Sequence, residues 1–123
     1  MNGIDEQRSP ALDRAAEGTD GWGQVVRHQR HATPDHADFY ALAGEIVTTL
    51  HALDDLAEVL AGQVAGYAQG RPVYDDTRTV DPAARLAEAT ALLRDTRKGL
   101  RTTVVPANRF WSAIGHIGTE TTP

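Results

Sequence analysis

The chain of 123 residues is long enough for one modest domain, and its net charge of −5 disfavours wholesale binding to nucleic acid or anionic lipid. It contains no cysteine, which excludes disulfides, thiolate nucleophiles and Cys-based zinc or iron–sulfur sites. No apolar run reaches the about eighteen residues of a membrane span, and the start MNGIDEQRSP lacks the basic-then-apolar order of a secretory signal. A cytoplasmic protein without a membrane partner is therefore expected, with signal-less export as the alternative. Eleven arginines against the single Lys98, together with abundant alanine, match a GC-rich, actinobacterial-like composition.

Residues 1–32 are rich in Gly, Asp, Glu, Arg and Gln, with scattered apolar side chains. They offer too little apolar surface to offset the entropy of ordering, so a mostly disordered arm is expected. Two stretches depart from this. Ala11 to Ala16 suits a turn or two of helix, and Gly21-Trp22-Gly23 followed by Val25 and Val26 suits either a docking motif or a cover for an apolar edge.

Thr33-Pro34-Asp35 reads as a helix start, with Thr33 as the cap, Pro34 at the first helical position and Asp35 at the positive end of the dipole. The helix is expected to run to Gln69, with Gly70 as a left-handed cap. Phe39, Ile46, Leu53, Leu60 and Tyr67 recur every seven residues, and Ala43, Leu50, Ala57 and Val64 fill the companion positions. That is the seam of helices packed at a shallow angle. Leu53, at its centre, is expected in the core. Leu42 and Leu56 on one flank, with Val47 and Ala61 on the other, widen the face enough to meet a second neighbour.

Residues 71–80 carry Pro72, two aspartates and no helical period, so they read as a loop between antiparallel neighbours. Asp81-Pro82 repeats the cap-then-proline start. From there Leu86, Leu93, Leu100, Ala107 and Ile114 recur every seven residues, with Ala89, Thr96, Thr103, Phe110 and Ile117 as companions. Pro106 cannot donate to the helix ladder, so a kink near Thr102 to Val105 or a restart at Ala107 is expected. The polar tail 118–123 is expected to fray.

The first long helix carries Asp35, Asp38, Glu45, Asp54, Asp55 and Glu58 and no Lys or Arg, whereas 85–109 holds six basic residues against Glu88 and Asp95. Antiparallel pairing brings Asp54, Asp55 and Glu58 level with Arg94 and Arg97. Such pairs direct the choice and orientation of a partner more than they add stability. The cluster Arg94, Arg97, Lys98 and Arg101 is also a candidate phosphate-binding stripe, although cations near a helix C-terminus suit the dipole without any ligand.

His28, His31 and His36, near Asp35 and Asp38, form the best metal candidate, since three neutral imidazoles and a carboxylate suit zinc, nickel or copper. No His-Glu-x-x-His fixes their geometry, and unconnected surface histidines are the simpler reading. His51 falls on an outward position beside Asp54 and Asp55. The only serines are Ser9 and Ser112, and no nucleophile elbow or phosphate-cradling glycine loop is present. No catalytic, cofactor or metal residue is therefore assigned, and an enzyme is not expected.

In length, paired long helices and dimeric packing the expected architecture resembles the small helical-hairpin proteins exported by type VII secretion in actinobacteria. Their signature is Trp-x-Gly in the turn between the helices. Here residues 71–80 contain no tryptophan, Gly21-Trp22-Gly23 precedes the first long helix, and no tyrosine-plus-acid export signal follows the second. The resemblance covers architecture alone.

The expected protein is all-α: a disordered arm over 1–32, an antiparallel two-helix hairpin with a kinked second helix over 33–117, and a flexible tail over 118–123. A hairpin leaves part of each apolar face wet, so dimerisation into a four-helix bundle, or docking on another helical protein, is expected through Leu42, Val47, Leu56, Phe110, Trp111 and Trp22. The corresponding function is a non-enzymatic interaction module: an adaptor, a chaperone-like partner or an assembly subunit. The alternative is a nucleic-acid accessory or regulatory protein that uses the basic stripe.

Overall fold

Ser9 and Pro10 begin a helix that runs well beyond the turn or two expected at Ala11 to Ala16. In the computed structural model, which describes residues 9–121, Ser9 caps α1 (Pro10–His31) by accepting a hydrogen bond from the Leu12 amide at 3.1 Å. Pro10 takes the first helical position, Asp13 lies in the first turn, and His28, Arg30 and His31 lie in the last. Arg14 pairs with Glu17 at 3.0 Å, and Gln24 donates to Asp20 at 2.6 Å. The expectation of a disordered arm is thus corrected over residues 10–31, while its part over residues 1–8 lies outside the described residues. No α1 residue is buried. Apolar content told correctly that there is no core here, but caps and neighbours three and four apart define the helix.

The chain divides into two units, one up to Pro34 and one from Asp35 onward. The second unit opens on α2 (His36–Ala65), capped by the Asp35 carboxylate, which accepts from the Ala37 amide at 3.3 Å. The start therefore falls two residues after the expected Thr33. Asp35 is extended, at φ −143° and ψ 129°, so Pro34 lies outside the helix. The far end also comes early: α2 stops at Ala65, and turns follow as far as Gly70, which does adopt the left-handed conformation at φ 72°. Gly62 and Gly66 weaken that last stretch, each costing up to about 1 kcal/mol relative to alanine in a helix.

Asp81 caps α3 (Pro82–Ile114) with a bond from the Ala83 amide at 3.3 Å, and Pro82 takes the first position as expected. The helix is continuous past Pro106, which removes the restart at Ala107, one of the two expected alternatives beside a kink. One missing backbone bond is tolerated because Leu100, Val104, Ala107, Trp111 and Ile114 keep one face partly buried through the proline. In the preceding turn the hydroxyls of Thr102 and Thr103 donate back to the carbonyls of Lys98 and Gly99, each at 2.9 Å. Among the described residues the fold is all-helical, with no strand.

α2 and α3 pack on one another, and their numbering runs in opposite senses along the contact: Tyr40 lies against Trp111 with ring centroids 5.8 Å apart, and Asp54 meets Arg97 and Arg101. Ala43, Val47, Ala57 and Ala61 are buried on α2, and Thr90 on α3. The expected seam is right in one row and wrong in the other. Ala43 and Ala57 lie inside, and Leu50 and Val64 are half-buried, but their companions are Val47, Asp54 and Ala61 in place of Ile46, Leu53 and Leu60. On α3 the companions of Leu86, Leu93 and Leu100 are Thr90, Arg97 and Val104, one position beyond those expected. Two features accompany this rotation. Alanines and Gly44 allow close approach, and an ideal Cβ placed on Gly44 lies 3.1 Å from Trp111 Cζ2. The same rotation brings Asp54 to Arg97, a pairing that the more apolar alternative would forgo.

Candidate interaction surface

This rotation turns a bulky row outward. Leu53 is 45% exposed whereas Val47, six residues earlier, is 5% exposed, and Ile46, Leu56 and Leu60 are exposed with Leu53. The matching flanking row of α3 is Ala89, Thr96, Thr103 and Phe110, with exposed Leu92 one row farther out. In an antiparallel pair, residues flanking the seam on corresponding sides lie beside one another, so both rows border the same flank. No charged residue occurs in these rows across 39–63 on α2 or 89–113 on α3.

The opposite flank is ionic. Arg97 Nε donates to Asp54 Oδ1 at 2.8 Å, Arg101 Nε donates to Oδ2 of the same carboxylate at 3.1 Å, and Arg97 Nη2 reaches Glu58 at 3.4 Å. The Arg97 hydrogen bond, opposed by burial and helped by Arg101, holds the Asp54 carboxyl below its usual range, and Asp54 in turn raises Arg97. The structure thus pairs the acidic cluster with Arg97 and Arg101, where the sequence suggested Arg94 and Arg97. Among the described residues Arg94 and Lys98 make no ion pair. Two of the four cations in the candidate phosphate stripe are committed within the chain.

A second carboxylate orders the connection. The Asp75 side chain is 4% exposed and accepts from the Thr77 amide at 3.1 Å, from the Thr77 hydroxyl, and from Arg85 Nε at 2.9 Å. The Thr77 hydroxyl bond, then Arg85, keeps its carboxyl below the usual range. The sequence reading missed this pair. The spacing of Asp75 and Thr77 is a turn signal that would have found half of it, but nothing linear points to an arginine ten residues on. Beside it lies an open pocket of about 490 Å³ walled by Tyr67, Tyr74, Pro72, Val73, Arg85 and Leu86. Arg71 stacks on Tyr67 and Arg78 on Tyr74, each 4.2 Å from the ring centre, so those ring faces are occupied.

The expected interface residues are scattered by the fold. Leu56 and Phe110 are exposed, Leu42 is half-buried, and Val47 is inside the seam, where no partner reaches it. Trp111 is half-buried against Tyr40 and Gly44, and its Nε1 is buried without a hydrogen-bond partner among the described residues. Trp22 is half-buried in α1. His28 and His31 end α1, whereas His36 begins α2 in the other unit, 3.5 Å from Asp35. Among the described residues no three His, Cys, Asp or Glu side chains are grouped to hold a metal ion, and no helix is long and apolar enough to cross a membrane.

No family model matches the chain, and no curated protein or solved structure matches it either.

Proposed function

We propose that this chain is a non-enzymatic interaction protein whose α2 and α3 form an antiparallel hairpin that presents its uncharged flank to another helical surface. One observation carries the reading: Ile46, Leu53, Leu56 and Leu60 are exposed along one side of a single helix. Scattered exposed leucines are ordinary, but a contiguous row flanked by uncharged residues is the pattern of a surface that is covered in use. Adaptor, chaperone-like partner and assembly subunit are the roles open to such a surface. The polar side chains support the same reading, since Asp54, Arg97 and Arg101 hold the helices together and Asp75 and Arg85 hold the connection. Nucleic-acid binding through the basic stripe is the weaker reading, because Arg97 and Arg101 are already paired.

The test is a photo-cross-linking amino acid placed at Leu53 and, as a control on an exposed charged face, at Asp95, in the native cell. Discrete protein adducts from position 53 and none from position 95 are expected. No adduct from position 53 refutes the reading, and salt-sensitive RNA or DNA retention lost on Arg94→Glu with Lys98→Glu would favour the alternative.

A further inference from the structure

We infer that the surface covering this flank is a second copy of the same chain, with α2 of each copy laid along α3 of the other; the inference rests on the interaction reading above. The first argument is area. The side chains of Ile46, Leu53, Leu56, Leu60, Leu92 and Phe110 are each more than a third exposed, an apolar strip that, with the small residues between them, matches the scale of about 800 Å² per partner of a standard interface.

The second argument is the shape of the two rows. The α2 row is bulky. Between Leu92 and Phe110 the α3 row is shallow: it offers Thr96 and Thr103, and beside them Gly99, where a Cβ would meet open space. The ridge therefore has a furrow of matching chemistry on its own molecule, but on the same flank, where it cannot reach it. A second copy can.

Height and charge complete the argument. Asp54 meets Arg97 and Arg101 across the seam, so Leu53 and Gly99 lie at about the same level. A two-fold axis parallel to the helices then sets Leu53 of each copy over Gly99 of the other, and both contacts form at once, as an isologous interface requires. Two chains of net charge −5 repel one another, yet this arrangement apposes only uncharged rows. It leaves the Asp54, Glu58, Arg97 and Arg101 flanks facing water.

Sedimentation equilibrium of the full chain tests this, with helix content followed by circular dichroism. A dimer is expected for the wild type across about 1 to 100 µM, with Leu53→Glu and Gly99→Leu each weakening dimerisation more than about tenfold at unchanged helix content. Gly99→Leu adds bulk in open space on an exposed helix face and removes a helix glycine, so it keeps the test decisive even if Leu53→Glu folds poorly. A wild-type monomer throughout that range overturns the second copy as occupant. In that case adducts from position 53 to a different protein would leave the interaction reading standing, and their absence would remove both. A dimer whose affinity ignores Gly99→Leu overturns the laying of α2 on α3.

Discussion

Asp54 and Arg97 meet in the seam between α2 and α3, Nε to Oδ1 at 2.8 Å, with side chains 14% and 21% exposed. A carboxylate takes a position that heptad logic reserves for an apolar residue, and its partner does the same on the facing helix. This pair, with Arg101 on the other oxygen, occupies the seam in the same rotation that turns the leucines outward.

The pair has a pH signature. The carboxyls of Asp54 and Asp75 are both held below their usual range, Asp54 chiefly by Arg97 and Asp75 chiefly by Thr77 and then Arg85. A depressed folded-state pKa contributes stability that is complete above the unfolded-state value and is lost as pH falls through the folded one. Stability is therefore expected to be insensitive to these two groups above about pH 4 and to decline below it. Urea unfolding from pH 6 to pH 3 checks this, with a shallower decline expected for Asp54→Ala. An identical slope in both proteins would mean that the pair does not couple to folding.

Removing one partner is expected to differ from removing a free cation. Arg97→Ala leaves Asp54 largely enclosed with only Arg101, so it lowers the unfolding midpoint, whereas Arg94→Ala, which breaks no ion pair among the described residues, leaves it nearly unchanged. Thermal melts of the two variants side by side decide the matter.

Val47 and Leu53 separate core from surface. Val47→Ala is expected to cost about 1 to 3 kcal/mol, because it opens space at the one buried α2 position larger than alanine. Val47→Asp is expected to prevent folding. Leu53→Asp is expected to retain helix content, since its side chain already faces outward. Far-UV circular dichroism with urea titration measures all three, and equal loss in Val47→Asp and Leu53→Asp would contradict the rotation described here.

Two glycines in α2 are expected to answer the same substitution differently. Gly62 has open space at its Cβ position, so Gly62→Ala is expected to gain up to about 1 kcal/mol from helix propensity. At Gly44 the added methyl would stand 3.1 Å from the Trp111 ring. Gly44→Ala is thus expected to gain less or to destabilise, and Trp111 fluorescence should shift with it. Equal gains at both sites would show that the tryptophan yields without cost.

Much of the architecture was legible in the sequence, because it is encoded locally. Asp81-Pro82 starts α3 where the cap chemistry says, Gly70 takes the left-handed turn, and one row of each heptad, Ala43 to Val64 and Leu86 to Ile114, falls on the facing side. Local signals alone define α1, where Ser9-Pro10 and neighbouring side chains sustain a helix with no fully buried residue. The second row of the seam was not legible. Apolar bulk favoured Ile46, Leu53 and Leu60, and a linear pattern cannot weigh that bulk against an ion pair 43 residues apart in sequence. Nor can it register how closely alanines and Gly44 let two backbones and Trp111 approach. The sequence alone determined that this protein is built of amphipathic helices with more apolar surface than one helix pair can cover. Only the tertiary structure decided which part of that surface stays outside, because helix rotation follows from cross-helix charge pairing and steric fit, and both exist only once the helices meet.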